Sequence, residues 1–249
     1  MAKKQYGLIG YPLMHSFSID YFNTKFQSEH IDAEYINFEI EDIGNLIELI
    51  AESPRLDGLN VTAPYKEQVI PYLDDLDDDA KIIGAVNVIK FIRDSKGELQ
   101  KLIGYNSDVV GFERTMADWD TQPKKAMVLG TGGAAKAVKL ALERQDIDVQ
   151  FVSRRKSAST VTYEEITRAM VASHELIVNA TPLGKYPKVN ECPDFPFRFL
   201  TPAHMAYDLI YNPDETLFMR KALKHGAKVK NGLEMLLLQA FVSYEIWTE

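Results

Sequence analysis

The chain has 249 residues, of which 46% are hydrophobic and 26% are charged, values typical of a globular protein that can bury a core. Its 36 acidic and 28 basic residues give a formal net charge of -8, which argues against a nucleic-acid partner because phosphate-backbone binding requires dense positive charge. The single cysteine, Cys192, excludes an internal disulfide and a cysteine metal cluster, and we predict no metal site.

The amino terminus and the length of the apolar runs indicate in which compartment the protein works. The amino terminus does not resemble a signal peptide, and no apolar run approaches the ~20 residues that a membrane-spanning helix requires. We therefore predict a cytoplasmic protein without a membrane partner. The sequence leaves open whether it is a monomer or a homodimer.

Short apolar runs alternate with amphipathic stretches in the first half of the chain, which predicts an α/β domain. The predicted elements are strands at Tyr6–Ile9, Glu34–Phe38 and Gly58–Val61, helices at Ser18–Glu29 and Asp42–Glu52, and a hairpin of Val88–Arg93 with Glu98–Ile103. A polar stretch broken by proline, Thr121–Lys125, is a plausible linker to a second domain.

The same alternation resumes after this linker and predicts a second α/β domain, with the boundary near residues 104–124. The predicted elements are strands at Ala126–Leu129, Val149–Val152, Leu176–Asn179 and Met205–Leu209, and helices at Ala134–Arg144 and Gly232–Trp247.

A glycine-rich turn follows the first strand of the second domain. Gly130 suits a tight turn, Gly132 allows a pyrophosphate to approach the backbone, and Ala135 permits close packing of helix on strand. The helix that follows offers unpaired N–H groups to phosphates. The pattern predicts a dinucleotide site, although a plain strand-to-helix turn would also require such glycines.

Cations follow the next strand, at the place where NAD enzymes usually carry an acidic residue for the ribose 2′-hydroxyl. The stretch reads Ser153-Arg154-Arg155-Lys156 and contains no carboxylate. Because arginine binds phosphate bidentately, we interpret it as a clamp for a 2′-phosphate, and hence for NADP. The alternative is a solvated basic loop.

Short polar side chains cluster after two strands of the first domain. Ser16 and Ser18 follow the first strand, and Asn60 and Thr62 end the third. Ligands of open α/β sheets bind at the carboxyl ends of strands, so these groups suit a polyhydroxylated ligand. Helix capping and turn formation would explain the same residues.

Asn87 and Asp108 interrupt apolar or glycine-rich surroundings further along the chain. A buried carboxylate needs a cationic partner or dense hydrogen bonding, and Lys66 is the natural candidate for Asp108. A structural ion pair without catalysis is the alternative to a catalytic pair.

A series of short motifs covers nearly the whole chain. In order they are Ser16-x-Ser18, Asn60-Val61-Thr62 with Pro64 and Lys66, Gly84-Ala85-Val86-Asn87, Asn106-Ser107-Asp108 with Gly111-Phe112, Gly130-x-Gly132-Gly133-Ala134, Asn179 with Thr181-Pro182 and Gly184, Asp208 with Tyr211 and Pro213, and Gly232 with Met235-Leu236 and Gln239. Together, in this order, they resemble the shikimate dehydrogenase family.

This resemblance implies an N-terminal α/β substrate domain, residues 1–104 plus 233–249, and a C-terminal Rossmann-like NADP-binding domain, residues 105–232, with a cleft between them. It implies reversible, NADPH-dependent reduction of 3-dehydroshikimate to shikimate, a step of chorismate and aromatic amino acid biosynthesis. Lys66 and Asp108 would be the catalytic pair. The substrate contacts would be Ser16, Ser18, Thr62, Asn87, Tyr211 and Gln239, to which we add Asn60. The cofactor contacts would be Gly130, Thr131, Gly132, Gly133, Ala134, Ser153, Arg154 and Arg155, with Leu209 and Gly232 near the nicotinamide.

Four positions depart from the usual pattern of this family. They are Ile19 for proline, Ser107 for threonine, Lys185 for methionine and Arg155 for threonine. None removes a group assigned to chemistry. Three other functions remain open: a quinate or amino-shikimate dehydrogenase, a non-catalytic NADP-binding sensor, and methylenetetrahydrofolate dehydrogenase, which the pairs Ser16/Ser18 and Tyr211/Gln239 fit poorly.

Overall fold

The structure is a computed structural model that describes residues 3–13, 17–119 and 122–249. The chain forms two compact units, one of Met1–Ser107 with Ala240–Glu249 and one of Asp108–Gln239. Each unit contains one six-stranded sheet. The predicted α/β class is therefore confirmed. Within the described residues, no helix is both long enough and apolar enough to cross a membrane.

The sheet of the first unit has the strand order β2-β1-β3-β5-β6-β4. Its strands are β1 Lys4–Gly10, β2 Ala33–Glu39, β3 Leu56–Val61, β4 Asp75–Leu76, β5 Val88–Arg93 and β6 Leu99–Tyr105, and its helices are α1 Phe17–Ser28, α2 Leu46–Glu52 and α3 Asp78–Ile83. β1 is parallel to both β2 and β3, whereas β5 runs antiparallel to β3 and β6. The carboxyl ends of the three parallel strands therefore share one edge.

The last residues of the chain pack on this sheet. Trp247 is buried, its ring lies 4.8 Å from the Tyr6 ring, and its Nε1 donates to the carbonyl of Ile89 at 3.1 Å. Gly58 makes room for the indole, because a Cβ at this position would lie 2.5 Å from Trp247 Cδ1. A glycine inside β3 is therefore required by packing.

The sheet of the second unit is wholly parallel and has the order β12-β11-β10-β7-β8-β9. Its strands are β7 Lys125–Leu129, β8 Asp148–Ser153, β9 Thr160–Thr162, β10 Leu176–Asn179, β11 Met205–Asp208 and β12 Lys228–Lys230; the helices are α4 Asp108–Thr115, α5 Gly133–Glu143, α6 Arg168–Ala172, α7 Leu217–Leu223 and α8 Leu233–Thr248, whose last turns belong to the first unit. This order is that of the Rossmann fold, in which ligands bind where the strand order reverses, here between β7 and β10.

Several elements differ from the sequence-based prediction. Asp42–Glu52 is not one helix: a 3-10 turn, Ile43–Asn45, precedes α2, and the Asp42 side chain accepts from Gly44 N at 2.8 Å. The local Asx bond competes with helix formation at this point. The short strands β4, β9 and β12 and the helices α4, α6 and α7 were not predicted.

Candidate active site

The loops after β1 and β3 lie side by side at the carboxyl edge of the first sheet. Thr62 N donates to the carbonyl of Ile9 at 3.0 Å, and Tyr11 N donates to the carbonyl of Ala63 at 3.3 Å. A Cβ at Gly10 would lie 2.5 Å from Thr62 Cγ2, so only glycine allows this approach. The structure thus brings the loop that carries Thr62 against the end of β1. Ser16, a predicted substrate contact, lies outside the described residues.

Lys66 sits in a turn that is held at both ends. Tyr65 is 3% exposed, and its hydroxyl donates to the carbonyl of Ile40 at 2.6 Å. The carbonyl of Lys66 accepts from Val86 N at 2.7 Å. The backbone that presents the ammonium group is therefore fixed, while the side chain itself is only half-buried.

The side-chain amide of Asn60, a predicted substrate contact, makes three hydrogen bonds within the first unit. Its Oδ1 accepts from the Tyr35 hydroxyl at 2.8 Å. Its Nδ2 donates to Ser243 Oγ at 3.0 Å and to the carbonyl of Asn87 at 3.2 Å. Both amide hydrogens are thus committed within the unit, so a ligand could meet only the remaining lone pair of the oxygen.

The other two predicted contacts of this unit adjoin the same group of side chains. The hydroxyl of Ser18, in the first turn of α1, is hydrogen-bonded to Tyr35. Asn87 is 3% exposed, and its Nδ2 donates to Ser107 Oγ at 3.0 Å. The structure therefore links Ser18, Asn60 and Asn87 through hydrogen bonds, and their contact with a substrate stays a prediction.

Asp108 begins α4 in the second unit and is 6% exposed. A carboxylate in the first turn of a helix is stabilised by the helix dipole. One turn later, Gly111 lies against Gln239 of α8, since a Cβ there would be 3.0 Å from Gln239 Cβ. Burial raises the pKa of Tyr211, so its hydroxyl stays protonated and able to donate. The pairing of Lys66 with Asp108 remains a prediction.

The glycine turn after β7 has the geometry that a dinucleotide requires. Gly130 has φ 113°, and a Cβ there would lie 3.1 Å from the carbonyl oxygen of Ala180. Gly132 caps α5, and a Cβ there would meet no atom of the described chain within 4 Å. Thr131 is exposed, while Gly133 and Ala134 are partly so, and these residues surround the first N–H groups of α5. The open side of this turn fits a pyrophosphate.

Of the three cations after β8, one forms an ion pair and two are exposed. Lys156 forms an ion pair with Glu165, whose other oxygen accepts from Thr162 N at 2.9 Å. Arg154 and Arg155 are exposed and form no ion pair within the described part of the chain. Ser153 accepts from Arg155 N at 3.3 Å, so the loop turns sharply at the strand end. The two arginines are therefore the cations available to a phosphate.

Leu209 and Gly232, both predicted to lie near the nicotinamide, are in close contact with each other. Leu209 N donates to the carbonyl of Asn179 at 3.0 Å, and Gly232 N donates to the carbonyl of Ile210 at 3.0 Å. A Cβ at Gly232 would lie 2.0 Å from the carbonyl oxygen of Leu209. Any side chain at this position would displace the backbone predicted to lie near the nicotinamide.

Asp208 is a buried carboxylate that the sequence-based reasoning left without a role. It accepts from Asn179 Nδ2 at 3.0 Å, from Ile210 N at 3.0 Å and from the Thr216 hydroxyl at 2.6 Å. Burial raises the pKa of Asp208 to about 6, and these three hydrogen bonds oppose the rise. The cluster joins the ends of β10 and β11 and fixes the backbone around Leu209. The signals in the sequence were an acidic residue at the end of an apolar strand and its place in the motif of Asp208 with Tyr211 and Pro213.

Replacing Asp208 with asparagine is expected to flatten the pH dependence of stability. Because the folded protein holds this proton more tightly than the unfolded chain does, the carboxyl group costs stability as pH rises from about 4 to about 6, by about 3 kcal/mol in all. The amide keeps an oxygen for Ile210 N and does not titrate. Thermal unfolding midpoints measured by circular dichroism between pH 4 and pH 8 test this.

The matched control for that substitution is Asp214→Asn, which changes an exposed aspartate in the following loop. Its pH curve should run parallel to that of the unchanged protein. If the Asp208→Asn curve also ran parallel, Asp208 would not be the titrating group.

Comparisons with known proteins are consistent with this arrangement. Residues 8–89 match the family described as the shikimate dehydrogenase substrate binding domain. The NADP(+) shikimate dehydrogenase of Desulforamulus reducens is 37% identical, over 97% of this chain and 89% of that protein. A Thermus thermophilus shikimate 5-dehydrogenase in complex with NADP(H) and shikimate is 28% identical with a TM-score of 0.84, over 98% of this chain and 93% of that one. A quinate dehydrogenase from Corynebacterium glutamicum in complex with NAD is 25% identical with a TM-score of 0.85, over 99% and 94%.

Proposed function

The chain belongs to the shikimate dehydrogenase family, and from this premise we propose that it reduces 3-dehydroshikimate to shikimate with NADPH, reversibly. The observation that carries the proposal is the identity of 37% to an NADP(+) shikimate dehydrogenase over 97% of the chain. It is supported by the presence of Lys66 and Asp108 in the motifs that carry the resemblance to this family. The protein would work in the cytoplasm, and its partners would be small molecules.

The first unit, Met1–Ser107 with Ala240–Glu249, would hold the substrate. The family match over residues 8–89 lies within it. Ser16, Ser18, Thr62 and Asn87 would bind the hydroxyl and carboxylate groups of shikimate, because short hydroxyl and amide side chains both donate and accept hydrogen bonds. Tyr211 and Gln239 of the second unit would complete the contacts.

The second unit, Asp108–Gln239, would hold NADP. The glycine turn and the first N–H groups of α5 fit the pyrophosphate. Arg154 and Arg155 fit the 2′-phosphate, since no carboxylate stands at the end of β8 to select a free 2′-hydroxyl. Leu209 and Gly232 would lie beside the nicotinamide.

NADPH, when bound, supplies a hydride to the carbonyl carbon of the substrate. Negative charge then develops on the carbonyl oxygen, and a donor already aimed at that oxygen stabilises it. Lys66 as an ammonium would provide this donor and deliver the proton, and as an amine it would accept the hydroxyl proton in the reverse direction. Asp108 would orient Lys66 and bind a substrate hydroxyl.

Absorbance at the NADPH band tests the reaction directly. We expect NADPH to form rapidly when shikimate and NADP are supplied, more slowly with quinate, and far more slowly when NAD replaces NADP. NADP binding without turnover of any of these acids would contradict the enzyme assignment and favour the NADP-binding sensor. Preferred turnover of quinate, as in the related quinate dehydrogenase, would correct the substrate alone.

A further inference from the structure

Five buried polar side chains of the first unit form what we call the amide–hydroxyl cluster. Its members are Tyr35, Asn60, Asn87, Ser107 and Ser243, each between 0% and 7% exposed. Of these, Asn87 binds the substrate in the proposed function, and Asn60 is a substrate contact predicted from the sequence. The other three are buried polar groups that carry no assigned role, and buried polar groups require hydrogen-bond partners.

The direction of the hydrogen bonds within this cluster can be determined. Asn60 Nδ2 faces the carbonyl of Asn87, which can only accept, so the orientation of the Asn60 amide is fixed. Asn60 Nδ2 therefore donates to Ser243 Oγ, and its Oδ1 accepts from Tyr35. The Asn60 amide therefore has one orientation, and in that orientation it also bonds the hydroxyls of Ser243 and Tyr35.

Ser243 connects Asn60 to the second half of the cluster. Its hydroxyl lies 3.0 Å from Asn60 Nδ2 and 3.2 Å from Ser107 Oγ. Ser107 in turn holds Asn87 by two bonds: its N–H donates to Asn87 Oδ1 at 2.7 Å, and its Oγ accepts from Asn87 Nδ2 at 3.0 Å. The hydroxyl of Ser243 is thus the bridge between two fixed amides.

Ser243 reaches this place from the carboxyl-terminal helix, 183 positions after Asn60 in the chain. It is fully buried, on the same helix as Trp247, which anchors that segment to the sheet. A fully buried hydroxyl needs hydrogen-bond partners, and Asn60 Nδ2 and Ser107 Oγ lie within hydrogen-bond distance of this one.

We infer that Ser243 is a positioning residue for substrate binding: through Ser107 Oγ it helps to hold the side-chain amide of Asn87, and through Asn60 it helps to hold the main-chain carbonyl of Asn87. This inference rests on the proposed function. Loss of the hydroxyl leaves Asn60 Nδ2 with one acceptor fewer and releases one restraint on Ser107. Ser107 Oγ then restrains Nδ2 of Asn87 less tightly, and the substrate must order that amide on binding.

The test compares Ser243→Ala with the unchanged protein in steady-state kinetics. We expect KM for shikimate to rise ~10-fold, the effect of about one lost hydrogen bond, with kcat and KM for NADP nearly unchanged. Ser107→Ala should act on the same amide, so the double variant should be less impaired than the product of the two single effects. Tyr6→Phe is the matched control, because it removes a buried hydroxyl from the aromatic cluster around Trp247 without touching these amides.

Four outcomes would overturn the inference. An unchanged KM for shikimate in Ser243→Ala would do so, as would parallel rises of both KM values, which would indicate a general loss of structure. Should the alanine variant fold poorly, Ser243→Cys keeps nearly the same volume with a weaker hydrogen-bonding group, and a KM equal to that of the unchanged protein would then count against the role. Absence of shikimate turnover in the unchanged protein would refute the proposed function itself, and the inference with it.

Discussion

Replacing Lys66 with alanine is expected to lower kcat for shikimate oxidation by ~10²- to 10⁴-fold, the usual contribution of a positioned acid–base group. KM for shikimate should change comparatively little. The methyl group of alanine can neither protonate the substrate oxygen nor stabilise charge on it. Steady-state kinetics with saturating NADP, followed by NADPH absorbance, measure both constants.

The structure indicates that replacing Lys66 with alanine leaves the surrounding backbone in place. The turn that carries Lys66 is held by main-chain atoms and by the Tyr65 hydroxyl, none of which the substitution removes. Lys101→Ala, at an exposed lysine on β6 of the same unit, controls for the loss of a positive charge. The unfolding midpoint of each variant should stay close to that of the unchanged protein.

The pattern of the two constants separates the possible roles of Lys66. A large rise in KM with kcat preserved would make Lys66 a binding residue. Unchanged values of both would reduce Lys66 and Asp108 to a structural ion pair. If the two residues act as a unit, Asp108→Asn added to Lys66→Ala should cost little beyond the first substitution.

The sequence predicted the central strands of both units well, because their physical signature is local. Leu176–Asn179 is bounded as predicted, since a strand covered on both faces of a parallel sheet is a continuous apolar run between polar loops. The edge strands β9 and β12 have only three residues each and mix polar with apolar residues. Their pairing with neighbours, and not their composition, makes them strands.

The residues of the candidate site likewise divide into those with a local signal in the sequence and those without one. The glycine turn and the basic stretch were predictable because each lies at a fixed spacing after a strand. The amide–hydroxyl cluster was not, because it joins residues of β2, β3 and α8 that no local pattern connects. Asn60 was assigned to the substrate from its type and its place at the end of a predicted strand, and only the structure shows that its amide hydrogens are already used. The amide oxygen is therefore the part of Asn60 through which the predicted substrate contact could be made.

Replacing both Arg154 and Arg155 with serine is expected to raise KM for NADP by ~10²- to 10⁴-fold, because each guanidinium would lose charge-assisted hydrogen bonds to the 2′-phosphate. KM for NAD should change little, since NAD lacks that phosphate. The ratio of the kcat/KM values for NADP and NAD, with shikimate saturating, measures the effect. In the unchanged protein this ratio should fall steeply as the salt concentration rises, and in the double variant it should not.

The loop keeps its shape in this variant because other groups hold it. Thr160 Oγ1 donates to the carbonyl of Arg155 at 3.1 Å and accepts from Ser157 N at 2.8 Å, and neither bond uses an arginine side chain. Lys156→Ala is the matched control: it removes a cation from the same loop, but one already neutralised by Glu165. Its NADP preference should stay nearly unchanged. Equal losses for NADP and NAD in the double variant would instead mean that the arginines are a solvated basic loop, and the preference for NADP would then have to arise elsewhere in the unit.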